Sequence, residues 1–143
     1  MSVATGNQTP PAMTRVVLAV RVLLGLMLFV LGLNGFLNFI PQPPPPSDGA
    51  EFLGALMAGN VLPVVKVFEV VIGALLLSNR WVPLALVMLV PIAVGIVLYH
   101  LTFDVAGGAG SYVVAAFLAF LLWAYRGALM PLLVPRAEPL AQA

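Results

Sequence analysis

Cysteine is absent from this 143-residue chain, and charge is scarce. Without cysteine the chain forms no disulfide, no thiolate metal site and no dithiol redox pair. Only 8% of its residues are charged, where soluble domains carry about 25%. A single histidine excludes an H-x-x-x-H helix motif, and neither G-x-S-x-G nor a P-loop occurs. The net charge of +1 supplies no basic field for nucleic acid.

What is present is mostly apolar: 62% of the chain is hydrophobic and its mean hydropathy is +1.12. Four long apolar segments use up the length. They leave room for one membrane domain, at 15–130, and for nothing soluble. The expected fold is therefore all-α, an integral membrane four-helix bundle whose first partner is the lipid bilayer.

Residues 1–14 are polar, contain Pro10-Pro11 and read as a disordered tail. The first helix is expected over about 16–40. It is longer than the apolar region of a signal peptide and lacks a clear small-x-small site, so it reads as a retained span. Arg21 lies inside it. Gly25, Gly32 and Gly35 fall within about 40° of Arg21 on a helical wheel, a stripe that lets another helix approach closely. Asn34 and Asn38 form a polar i, i+4 pair near its far end.

The stretch Pro41-Gln42-Pro43-Pro44-Pro45-Pro46 cannot be helical, because proline removes donors and favours polyproline II. A short amphipathic helix follows over 51–58, with Ser47 or Asp48 available as its cap. Its apolar face carries Phe52, Leu53, Leu56 and Met57, suited to lying on the membrane or folding over the bundle. Further helices are expected over about 61–77, 82–103 and 111–126. Pro91 is expected to kink the third span. Pro131 and Pro135 stop regular structure in the tail at 131–143.

Flanking charge sets orientation. Arg15, Arg80, Arg126 and Arg136 fall at one end; Asp48, Glu51 and Asp104 fall at the other. Basic residues favour the cytoplasm, so both termini are expected there.

The second span carries Lys66 and Glu69, three residues apart and so on one helical face. A charge at membrane depth costs on the order of 3 kcal/mol, which pairing reduces. Helix direction brings Asn34, Asn38, Lys66, Glu69 and His100 to similar depth in the outer half. Arg21 starts in the inner half and is expected to reach Glu69 near the midplane. Two readings stand. In one, these groups only cross-link the helices. In the other, Lys66 and His100 hold a carbonyl or an anion, Glu69 tunes them, and Arg21, Asn34 and Asn38 complete a ligand-binding set. A metal site is not expected, since one imidazole and two carboxylates suit few transition metals.

The order and spacing of several short stretches resemble the DoxX family of small bacterial four-helix membrane proteins. They are Arg21-Val22-Leu23-Leu24-Gly25-Leu26 with Leu33-Asn34-Gly35-Phe36, Lys66-Val67-Phe68-Glu69 with Gly73, Asn79-Arg80-Trp81-Val82-Pro83-Leu84-Ala85, and Tyr99-His100-Leu101. The resemblance covers about 15–126. It implies a bacterial inner-membrane protein associated with membrane oxidoreductase subunits, as are the DoxD-type subunits of thiosulfate:quinone oxidoreductase. It implies an accessory or quinone-interacting subunit rather than a stand-alone enzyme. The missing cysteine argues against direct sulfur transfer. A non-redox binder or transporter of small or lipid-like molecules, and a structural assembly factor, are the alternatives.

Overall fold

The computed structural model describes residues 11–135, and these form helices joined by short turns, save for the nine-residue proline strap at 38–46. In order they are α1 (Pro11–Leu37), α2 (Ser47–Ala58), α3 (Val61–Leu77), α4 (Val82–Phe103), α5 (Ala109–Ala124) and α6 (Arg126–Leu129), then a 3-10 turn at Met130–Leu133. The expected spans at 61–77 and 82–103 coincide with α3 and α4. Helix α5 lies two residues earlier than expected.

Helix α1 starts at Pro11, so 11–14 are helical and not part of a tail. Proline suits the first turn of a helix because its missing N–H has no intrahelical partner there. The remaining tail expectations, 1–10 and 136–143 with Arg136, lie outside the described residues. At the other end α1 stops at Leu37, three residues short of the expected 40. Asn38 takes a left-handed backbone (φ 49°), and Asn60 and Asn79 do so at the next two turns (φ 58° and 57°). Asparagine tolerates this region better than most residues. Pro131 lies inside the 3-10 turn, as its second residue, instead of ending structure.

Helix α2 begins at Ser47, four residues before the expected start. Neither Ser47 nor Asp48 caps it; the Ser47 hydroxyl donates to Asp48 Oδ1 at 3.0 Å. Its apolar face folds over the bundle. Phe52 stacks on Tyr99 and Phe103 of α4, with ring centroids 6.1 and 5.5 Å away. The buried Gly49 lies under Tyr99, whose hydroxyl would be 2.7 Å from an added Cβ.

Glycine sets the closest approach. A Cβ on Gly73 would lie 2.6 Å from the Phe29 backbone nitrogen and 2.8 Å from the Gly25 carbonyl oxygen. The stripe on α1 therefore faces α3, backbone against backbone. Gly25 meets Gly73 and Leu76, Gly32 meets Glu69 and Val70, and Gly35 meets Lys66, so the two helices are antiparallel. The buried core lies toward the end carrying Arg15, Arg80 and Arg126, here the basic end. It joins Leu24 and Leu28, Ile72 and Leu76, Ala85, Leu86 and Leu89, and Leu118 and Leu121. The opposite end, with Asp48, Glu51 and Asp104, is the acidic end.

Large apolar side chains cover the outside: Leu18, Leu23 and Leu26 on α1, Val64, Val67 and Val71 on α3, Leu84, Val94 and Leu98 on α4. Apolar surface on this scale marks contact with something other than water. Among the described residues α1 and α4 are each long and apolar enough to cross a membrane. The number reaches four if two bent pairs each form one span: α2 with α3, at 83°, and α5 with the segment to Leu133, at 76°. Helix α4 runs through Pro91 as one element.

Candidate functional site

At the acidic end the four long helices leave a cavity of about 380 Å³. Asn34 and Asn38 reach it from α1 and its terminal turn, Lys66 and Glu69 from α3, His100 from α4, and Ser111 from α5. Leu28, Leu31, Ala93, Ile96 and Val114 supply an apolar remainder. A small-molecule site typically has this make-up and a volume of about 300–1,000 Å³.

Lys66 Nζ donates to Glu69 Oε2 at 2.8 Å. The i, i+3 spacing puts both on one face, and Gly35 makes room: the Lys66 stem occupies the space a side chain there would fill. Glu69 is 3% exposed and Lys66 30%. The carboxylate is thus buried with its countercharge, while the ammonium keeps contact with the cavity. An ammonium has three N–H donors, so pairing with one oxygen leaves donors for a ligand.

His100 Nδ1 lies 3.3 Å from the Asp104 backbone carbonyl oxygen and 4.0 Å from Asp104 Oδ2. In the tautomer that carries its proton on Nδ1, that carbonyl is satisfied and Nε2 can accept. The cavity wall therefore combines a donor on α3 with a histidine able to accept on α4. A ligand that offers an acceptor and a donor, such as a carbonyl and a hydroxyl, complements the two.

Asn34 lines the cavity, but both ends of its amide are engaged. Its Nδ2 donates to the Ile40 carbonyl at 3.1 Å, and the Ile40 N–H donates to its Oδ1 at 2.6 Å. Its first task is to fold the chain off α1 into the proline strap. Asn38 is exposed and stands at the mouth with Gln42.

Arg21 is not part of this group. Gly32 is the α1 residue that meets Glu69, and Arg21 lies about 16 Å away along the axis at 1.5 Å per residue, beyond side-chain reach. The expected Arg21–Glu69 pair is absent among the described residues, and Glu69 pairs with Lys66 instead. Arg21 is buried near the basic end, where its Nε has no hydrogen-bond partner among the described residues.

Sequence reasoning missed Ser111 and Gln42 as wall residues. Ser111 donates to the Gly108 carbonyl at 2.7 Å. Its signal was available: the one serine of α5, in the first turn. Gln42 is the one amide in the proline strap. No family model, curated protein or solved structure matches this chain.

Proposed function

We propose that the chain is a DoxX-type four-helix membrane bundle that holds the polar head of a quinone-class ligand at its acidic end. It would serve as an accessory subunit of a bacterial inner-membrane redox system. In this reading α1, α3, α4 and α5 are the spans. Helix α3, at 17 residues, is about 25 Å long, the lower limit for crossing a hydrocarbon core of about 30 Å. Helix α2 folds across the acidic end, which faces outward, and the termini are cytoplasmic.

One observation carries the proposal: Lys66, paired with Glu69, and His100 open into the same cavity, whose other walls include Leu28, Leu31 and Ile96. A charge-assisted hydrogen bond to a ligand carbonyl contributes about 1.5–3 kcal/mol, roughly ten-fold or more in occupancy. His100 accepts from the hydroxyl of the reduced form. The Lys66–Glu69 pair lies within α3 and so joins no two helices. The occupied amide of Asn34 and the internal Lys66–Glu69 pair favour the second reading, a structural assembly factor, and the test separates the two.

The protein is purified in mild detergent and its extractable small molecules are measured by mass spectrometry. His100→Phe should lower bound quinone about ten-fold with little change in melting; Lys66→Met should lower it as much and also lower the Tm, because it leaves the buried Glu69 carboxylate unpaired. Arg21→Leu, away from the cavity, should leave it unchanged. Equal quinone content in all four proteins, or none in the parent, would leave only the structural reading.

A further inference from the structure

Arg21 is 7% exposed in an apolar helix, and its Nε has no hydrogen-bond partner among the described residues. Neither ion pair found among those residues includes it. Of the five acidic residues, Asp48, Glu51 and Asp104 lie at the acidic end and Glu69 pairs with Lys66. The fifth, Glu138, lies outside the described residues. A charge buried in an apolar helix is costly unless paired, and such a residue marks a functional site by default. One internal alternative is a helix end, whose carbonyls attract cations. In the two helices that end here, those carbonyls are taken up by the turns themselves. At α3 the Ser78 N–H donates to Ala74, the Ser78 hydroxyl and the Arg80 N–H to Leu75, and the Asn79 N–H to Leu76. At α5 the Tyr125 N–H donates to Leu121, and Arg126 Nη1 to Trp123.

The α1–α3 register gives the depth of Arg21. Gly25 faces Gly73 and Leu76, so Arg21, one turn nearer the basic end, is level with Arg80, just past the end of α3. Side chains on a helix lean toward its N-terminus, which for α1 is the basic end. Trp81 and Trp123 are exposed there, and the Arg126 guanidinium lies 4.8 Å over the Trp123 ring. Exposed tryptophan at a helix end marks the headgroup level of a bilayer. We infer that Arg21 binds a phosphate group at the basic end. Its Nε and one Nη form a parallel pair of donors that matches two oxygens of one phosphate. The depth favours the headgroup of an anionic phospholipid in the adjoining leaflet, toward which Arg80 and Arg126 add positive potential. Free phosphate offers the same chemistry. This site is separate from the polar cavity and does not depend on a quinone there.

The full chain is delipidated in neutral detergent and melted with phosphatidylglycerol, with phosphate-free diacylglycerol or with inorganic phosphate, at constant ionic strength. Phosphatidylglycerol should raise the parent's Tm by about 5 °C or more at saturation. Native mass spectrometry should show one such lipid retained per chain. An equal rise with inorganic phosphate would identify the free anion as sufficient. Arg21→Leu should melt no lower than the lipid-free parent, because it removes an uncompensated buried charge. It should lose the rise and retain at least five-fold less lipid. Arg21→Lys, which keeps the charge without the fork, should keep less than half of the rise. A rise in Arg21→Leu equal to the parent's, an equal rise with diacylglycerol, or no rise with either phosphate source would overturn the proposal. A lower lipid-free Tm in both Arg21→Leu and Glu138→Gln would reveal an internal ion pair and overturn it too.

Discussion

The α1–α3 seam and the α4–α5 seam are built from similar small residues and do opposite things. At the first, Gly25, Gly32 and Gly73 bring backbones within van der Waals contact and leave no space between them. At the second, Ala93 borders both the cavity and an apolar groove along α4 and α5, and Ala115 and Ala119 border that groove. Glycine in register on both helices closes a seam. Alanine among valines on α4 and α5 leaves a groove beside the seam. The tight seam also explains how two charges are carried in an apolar helix: Gly35 lets the Lys66 stem lie flat, so Nζ reaches Glu69 at 2.8 Å.

The comparison is broken most severely at Gly73. Gly73→Leu drives a side chain into the Phe29 and Gly25 backbone, where even a Cβ would sit at 2.6 Å. The expected loss is at least about 3 kcal/mol, the upper range for overpacking, read as loss of the folded monomer or a sharply lowered Tm. Glu69→Leu comes next. It leaves the Lys66 ammonium without its partner at the edge of the apolar interior and should cost about 3 kcal/mol in detergent melts. That is the low end of the range for a broken buried pair, because Lys66 keeps 30% exposure. Arg21→Leu combined with it should be additive, since the two sites are too far apart to couple; recovery in the double variant would restore the Arg21–Glu69 pair. The smallest effect is expected at the other seam. Ala119→Leu enters open groove on an exposed face and should stay within about 0.5 kcal/mol of the parent. A loss as large as that at Gly73 would mean that the two seams do not differ.

Much of this was legible in the residues, for identifiable reasons. The bounds of α3 and α4 were readable because Asn60, Asn79 and Asp104 punctuate apolar runs of span length. The Gly25-Gly32-Gly35 stripe pointed to a close neighbour, and i, i+3 spacing put Lys66 beside Glu69. The pairing of Arg21 was not legible. A helical wheel gives the angle of a side chain, whereas the height at which two helices meet is set by tertiary contacts such as Gly32 against Glu69. The role of Asn34 was hidden for a similar reason. Its partner is the backbone of Ile40, six residues on, and the contact exists only after the chain has turned. Pro11 reads as tail by composition, although proline is as much at home in the first turn of a helix.

The absence of cysteine makes the central claim, an occupiable polar cavity at the acidic end, directly measurable. Ser111 is 7% exposed and lines that cavity, and Ser111→Cys is nearly isosteric. It would be the one thiol in the chain. A small water-soluble thiol reagent should label it in lipid discs, and a saturating, fully substituted benzoquinone should slow labelling about ten-fold, as expected for one charge-assisted contact in a shared site. A thiol that never reacts, or one that reacts at the same rate with and without the quinone, would contradict the account.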